Sequence, residues 1–252
     1  MAALLDELEA RIGAAPLAAS PLRKLRREYS RRLARSEPGD VVSLALRLVD
    51  RGGIARRFVA YELVHHHRGA LASLGVRDLK RLGRGLDGWG AVDGFGLYLA
   101  GPAWREHQVS DRLILGWARS RDRWWRRAAL VSTVPLNSRA RGGRGDTART
   151  VAVCRVLVGD RDDMVVKAMS WALRELAKRD PAAARRFVAA HRRGLAARVV
   201  REVGNKLATG LKNPRRTPAD GRTTLPMRRP LDPAPARMAP RRTARGRRRL
   251  PA

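Results

Sequence analysis

Trp89 and Asp93 lie four residues apart in the run LDGWGAVDGFG, and their types and spacing are the ones most suited to chemistry. On a helix, residues four apart share one face, so the ring and the carboxylate would stand side by side. A carboxylate there could stabilise a developing cation or act as a general base on water. The structural alternative is a salt bridge, which Asp93 could readily form in an arginine-rich chain.

Two further segments combine aromatic rings with cations. In DDMVVKAMSWALRELAKRD, a helical wheel separates Trp171 from the apolar face and groups it with Lys167 and Arg174. That ring either covers the aliphatic stems of those side chains or contacts a ligand. In RSRDRWWRRAAL, two adjacent tryptophans lie between arginines, a mixture suited to phosphates and bases. One tryptophan is predicted to be a core residue, with Arg123 or Arg127 facing the ligand.

The charge of the chain indicates a polyanionic partner. Lys and Arg total 54 against 23 Asp and Glu, a formal net charge of +31. An excess of arginine over lysine is expected from GC-rich coding, but that bias does not explain the shortage of acids. The composition therefore favours nucleic acid as the partner. It disfavours a protein-interaction scaffold, for which an apolar or mixed-charge groove is expected.

Metal chemistry is not indicated by the sequence. Cys154 is the single cysteine, so neither an intramolecular disulfide nor a multi-cysteine zinc site can form. The three consecutive histidines at 65–67 would point about 100° apart on a helix and cannot converge on one ion. We expect neither a metal nor an organic cofactor.

Apolar residues recur every three to four positions as far as residue 211, and strand-like alternation is absent. Helix starts are predicted at Ser20–Pro21 and Asp180–Pro181, where a capping residue precedes proline. About twelve short helices favour an all-α fold, an α-solenoid of degenerate HEAT-like repeats with a concave basic groove. We therefore predict one helical-repeat domain over residues 1–211.

Residues 212–252 differ from the rest in composition. They hold eight of the fourteen prolines, thirteen Lys or Arg and two acids, which predicts a disordered basic tail that tethers the protein to its partner. No stretch has the features of a signal peptide or a membrane span. We expect a cytoplasmic, nucleoid-associated monomer.

Three segments, taken together and in order, resemble the bacterial DNA alkylation repair glycosylases of the AlkD-like family, which are built from HEAT-like repeats. They are GWGAVDGFGLYLAG at 88–101, DRWWRRAALVSTVPL at 122–136 and VVKAMSWALRELAKRDPAAARRFVAAH at 165–191, followed by REVGNKL at 201–207. The resemblance covers residues 35–210. Its third segment is the most specific, because helix periodicity alone does not produce that combination.

The resemblance implies a DNA glycosylase that hydrolyses the N-glycosidic bond of cationic N3- or N7-alkylpurines in duplex DNA, for base excision repair. Asp93 is similar to the family's catalytic aspartate. Trp89 and Trp171 are similar to the two tryptophans near the lesion, and Arg127 to a DNA-contacting arginine. We expect neighbouring arginines to lower the pKa of Asp93 and keep it ionised. From their positions, the remaining predicted DNA-binding residues are Arg123, Lys167 and Arg174.

Two alternatives remain beside this interpretation. A non-catalytic helical-repeat protein that binds distorted or branched DNA would keep the fold and the charge, but it would not need the complete set of Trp89, Asp93 and Trp171. A helical-repeat pigment lyase has no feature in the sequence to support it.

Overall fold

The computed structural model describes residues 2–214, which form helices joined by short turns, with no strand in that range. No helix within it combines the length and apolarity needed to cross a bilayer. The α-helices of this part are α1 (Ala2–Ala14), α2 (Ala19–Arg32), α3 (Pro38–Asp50), α4 (Ile54–His66), α5 (Arg68–Ala72), α6 (Val76–Leu82), α7 (Trp89–Phe95), α8 (Gly101–Arg105), α9 (Asp111–Ala118), α10 (Arg123–Ser132), α11 (Val134–Asn137), α12 (Thr147–Val156), α13 (Asp163–Ala177), α14 (Pro181–Ala190) and α15 (Ala197–Thr209). A π-helical stretch, Gly96–Ala100, joins α7 to α8, and a 3₁₀ turn at Arg139–Arg141 follows α11.

Of the two predicted helix starts, one is confirmed and one is wrong by two residues. Asp180 caps α14 by accepting a hydrogen bond from the Ala183 amide, and proline occupies the first helical position. Helix α2 begins instead at Ala19, ahead of Ser20, and has no side-chain cap. Pro21 is tolerated there because amides of the first turn have no partner within the helix.

One row of helices runs through the fold, in the order α2, α4, α7, α10, α13 and α15, each packed against the next. The other helices pack against this row; α3 lies on α4, α9 on α10, and both α12 and α14 on α13. Each helix thus buries its apolar side on close neighbours in the chain, which is how an α-solenoid builds a continuous core. The all-α solenoid prediction is confirmed. The predicted disordered tail lies outside the described residues from position 215 onward.

At the centre of the row, the backbone at Gly96 packs directly against Val131 and Ser132 of α10. A Cβ atom at Gly96 would lie 2.8 Å from Val131 Cγ1, closer than such atoms approach in proteins, and 3.2 Å from the Ser132 nitrogen, which is unusually tight. Glycine is therefore required where α7 continues into the π-helical stretch beside α10. This close approach brings the side chains of α7 and α10 into direct contact.

A buried arginine holds the turn that leads into α7. The Arg57 guanidinium donates to the carbonyls of Leu82, Arg84 and Gly85 and to the Tyr61 hydroxyl. The Tyr61 hydroxyl in turn donates to the Leu82 carbonyl at 2.7 Å. Because Arg57 on α4 satisfies three carbonyls of this one turn, it determines where the chain enters α7.

Replacing Arg57 with methionine is expected to lower the free energy of unfolding by about 2 kcal/mol, because three carbonyls of the turn lose the arginine that donates to them. Urea denaturation followed by circular dichroism measures the change. Arg84→Met is the matched control, since it removes an exposed arginine of the same turn and should change stability by less than about 0.5 kcal/mol. Equal effects of the two substitutions would show that the guanidinium does not stabilise the turn.

Candidate active site

Asp93 on α7 and Arg127 on α10 form a bidentate pair. Arg127 Nε donates to Asp93 Oδ1 at 2.8 Å, and Arg127 Nη2 donates to Oδ2 at 2.8 Å. The third nitrogen, Nη1, donates to the backbone carbonyl of Met164 on α13. The side chains of Asp93 and Arg127 are only 15% and 6% exposed. The salt bridge that was the structural alternative for Asp93 therefore exists, and it also fixes the orientation of the carboxylate.

Burial and the arginine act on the pKa of Asp93 in opposite directions. Desolvation is the larger effect and raises the pKa above the usual aspartate value, while the hydrogen bonds and charge of Arg127 lower it. The expected lowering of this pKa by a neighbouring arginine is confirmed for Arg127, but the cost of burying the charge, which the sequence did not reveal, outweighs it. Asp93 becomes ionised at a higher pH than an exposed aspartate does.

Trp89 is the first residue of α7 and its side chain is largely free, with 62% of its surface exposed. It borders an apolar cleft of about 450 Å³ formed by the starts of α2, α4 and α7 and lined by Leu17, Ala18, Ala19, Leu22, Ile54, Ala55, Phe58, Asp87, Gly88, Trp89, Gly90 and Ala91. No arginine or lysine of the described residues lines this cleft. The ring is thus available to a ligand one helical turn from Asp93.

Trp171 lies on α13 and packs partly against the core. The predicted buried face of that helix is confirmed, with all six of its apolar residues buried: Val165, Ala168, Met169, Ala172, Leu173 and Leu176. Trp171 is seven residues after Met164, so it lies on the same side of the helix roughly 10 Å further along. Helices α7 and α13 both pack on α10, and Arg127 links the Asp93 side chain to the backbone of α13.

The predicted DNA-binding cations fall into two groups. Arg123 and Lys167 are half exposed, and both form ion pairs with acids at the start of α13. Arg127 and Arg174 are directed inward. Arg174 donates to Ser170 Oγ at 3.2 Å, and burial lowers its pKa. Arg127 is therefore buried and contacts Asp93 and the backbone of α13, whereas the sequence predicted that it could face the ligand.

The tandem tryptophans at the start of α10 point to different neighbours. Trp125 packs against Phe95 and Trp117, with ring centroids 5.9 Å and 4.9 Å away. Trp124 lies beneath the Arg123 guanidinium, whose central carbon is 4.9 Å from the ring centroid. One of them was predicted to be a core residue; both pack against the core while staying partly exposed, and Trp125 is the one that lies in the aromatic cluster.

Sequence reasoning missed three residues around this site. Asp163 begins α13 and pairs with Lys167, a spacing of four that could have indicated the contact. Arg198 reaches Asp163 from α15, and Arg57 holds the turn before α7. Neither of these arginines has a local signal, because their partners lie 35 and about 27 positions away in the chain.

Comparison with known families gives one match. A family model described as DNA alkylation repair enzyme matches residues 16–207, a range that includes every candidate site residue. No curated protein and no solved structure matches the chain.

Proposed function

Because the chain belongs to the DNA alkylation repair enzyme family, we propose that it is a DNA glycosylase acting on cationic N3- and N7-alkylpurines in duplex DNA. Family membership supports a role in DNA alkylation repair, with DNA as the partner. The finer proposal depends on one observation. A carboxylate, Asp93, is oriented by Arg127 within a helical turn of the exposed indole of Trp89.

The proposed reaction does not need a strong general acid to protonate the leaving base. An N3- or N7-alkylpurine already carries a positive charge, so it leaves as a neutral base with the electrons of the N-glycosidic bond. The sugar develops oxocarbenium character as that bond breaks. An ionised Asp93 stabilises the cation and orients a water molecule, whose oxygen bonds to C1′ while its proton passes to the carboxylate.

Two indoles would select for the charged lesion. Cation–π attraction contributes about 0.5–2 kcal/mol per contact, depending on desolvation. Trp89 offers an exposed ring, and Trp171 a partly buried one on the helix bound by Arg127. Preference for a cationic base then requires no hydrogen-bond pattern on its edges.

Phosphate contacts would supply most of the affinity. Residues 1–211 carry 41 Lys or Arg against 21 Asp or Glu, so this region is strongly basic without the tail. Arg123 and Lys167 present exposed cations beside the site. We propose that these residues and other cations of the helical domain bind the duplex backbone with little sequence preference and a steep dependence on salt.

The test of this function is to incubate the purified chain with methylated duplex DNA and measure the free bases by mass spectrometry. Release of 7-methylguanine and 3-methyladenine is expected. Tight binding to the duplex without release of either base would instead support the non-catalytic DNA-binding alternative.

Trp89→Ala is expected to slow excision of 7-methylguanine by roughly tenfold, because one cation–π contact is lost. The ring is 62% exposed, so the free energy of unfolding should change by less than about 0.5 kcal/mol. Single-turnover excision and urea denaturation measure the two quantities. Trp89→Phe keeps an aromatic face and should recover part of the rate; full activity in Trp89→Ala would remove this residue from the site.

A further inference from the structure

Exposed cations surround the first turn of α13, and each is already paired with a carboxylate. Lys167 Nζ lies 2.6 Å from Asp163 Oδ2, and Arg198 Nη2 lies 3.6 Å from Asp163 Oδ1. Arg123 Nη1 lies 3.4 Å from Asp162 Oδ2. Three successive helices of the row, α10, α13 and α15, therefore each contribute a cation that lies next to Asp162 or Asp163.

The two carboxylates at this place have different roles. Asp162 caps α13, with Oδ1 accepting from the amides of Met164 and Val165, so the helix itself depends on it. Asp163 is 55% exposed, and within residues 2–214 its ion-pair partners are Lys167 and Arg198. Lys167 is the main cause of a lowered pKa at Asp163, which keeps this carboxylate ionised.

This cluster adjoins the proposed catalytic pair. The carbonyl of Met164, the residue after Asp163, accepts a hydrogen bond from Arg127, and Arg127 holds Asp93. A phosphate bound by Lys167 and Arg198 would therefore lie beside the reacting nucleotide. The same guanidinium that orients Asp93 also contributes to the potential at Asp163.

We propose that Asp163 occupies, in the free protein, the position of a DNA phosphate, and that binding of duplex DNA replaces it on Lys167 and Arg198. This inference rests on the proposed function. Carboxylate and phosphate oxygens accept the same charge-assisted hydrogen bonds from lysine and arginine. Exposed ion pairs are weak, so their partners exchange readily. If Asp163 stayed in place, its charge would repel the incoming phosphate.

In this proposal Asp163 holds Lys167 and Arg198 in position and also limits the affinity of the protein for DNA. Lys167 and Arg198 are held toward the site before DNA arrives, and breaking their pairs with Asp163 accompanies every binding event. A chain of net charge +31 would otherwise bind undamaged DNA strongly through phosphate contacts alone. Asp163 therefore weakens attachment to undamaged duplex, from which a repair protein must dissociate.

The first test compares the affinity of Asp163→Asn and the unaltered chain for an undamaged duplex over a range of salt concentrations. Asp163→Asn should bind about fivefold more tightly at low salt. Its plot of log affinity against log salt should be steeper by about 0.9, because one more phosphate is neutralised by protein. The matched control is Asp50→Asn, which breaks the exposed pair that α3 forms with Arg81 of α6, outside the row; it should change affinity by less than twofold.

Lys167→Gln, made both in the unaltered chain and in the Asp163→Asn variant, completes the test. Its cost in affinity should be larger in the Asp163→Asn variant, since the lysine is then free to neutralise a phosphate. Equal tightening by Asp163→Asn and Asp50→Asn would show an effect of net charge alone and overturn the proposal, as would weaker binding by Asp163→Asn. Failure of the unaltered chain to bind duplex would overturn the proposed function as well; binding without base release would overturn only the proposed catalysis.

Discussion

Asp93→Asn is expected to slow release of 7-methylguanine from methylated duplex DNA by at least about a hundredfold, the usual effect of removing a group that stabilises transition-state charge. Asparagine keeps the shape of the side chain and can accept a hydrogen bond from Arg127, but it carries no charge to stabilise the sugar cation. DNA affinity should be equal or higher, because a negative charge near the phosphates is lost. Single-turnover excision and fluorescence anisotropy measure the two effects.

Asp87→Asn is the matched control for this substitution. Asp87 is exposed and lines the cleft beside Trp89, but it precedes α7 and is outside the pair with Arg127. Its excision rate should stay within about twofold of the unaltered chain, as for a surface substitution away from the chemistry. Normal excision by Asp93→Asn would show that another group performs the reaction.

Arg127→Met is expected to reduce excision at neutral pH and to move the pH–rate profile to higher pH. Arg127 lowers the pKa of Asp93 against the opposing effect of burial. Without the arginine that pKa rises further, so a smaller fraction of Asp93 is ionised at a given pH. The variant should also lose about 3 kcal/mol of stability, because an ionised Asp93 would remain buried without its partner.

The pH profile separates positioning from a purely structural role for Arg127. In the proposed reaction Asp93 must be ionised, so the excision rate is expected to rise with pH through the pKa of this group. Raising that pKa would move the rising part of the profile to higher pH. Arg127→Lys keeps the positive charge but loses the bidentate geometry. Compared with Arg127→Met, it should return the pH dependence of excision close to that of the unaltered chain, while the maximal rate stays reduced. A uniform loss of rate at every pH would indicate that Arg127 only supports the fold.

Local chemistry was enough to predict the helical class and some of the helical elements. The spacing of apolar residues identified the buried face of α13, and the Asp180–Pro181 pair identified the start of α14. These features depend on residues within one or two turns, which the sequence displays directly. Trp89 and Asp93 were placed on one short helix for the same reason.

Local chemistry failed where a neighbour from elsewhere in the chain decides the outcome. The predicted start of α2 was wrong, because the helix begins at Ala19, ahead of the Ser20–Pro21 pair, and has no side-chain cap. Arg127 lowers the pKa of Asp93 as expected of a neighbouring arginine, but the pKa is raised overall because the surrounding helices exclude water from the carboxylate.

The amino-acid sequence by itself determined the helical class, the basic character and the residues able to do chemistry, because these follow from composition and from contacts within a few turns. Only the tertiary structure decided their partners. Arg127 lies 34 positions from the aspartate that it orients, and Arg198 lies 35 positions from Asp163. A helical wheel shows which face a side chain occupies, but the packing of α7, α10, α13 and α15 determines what that face meets.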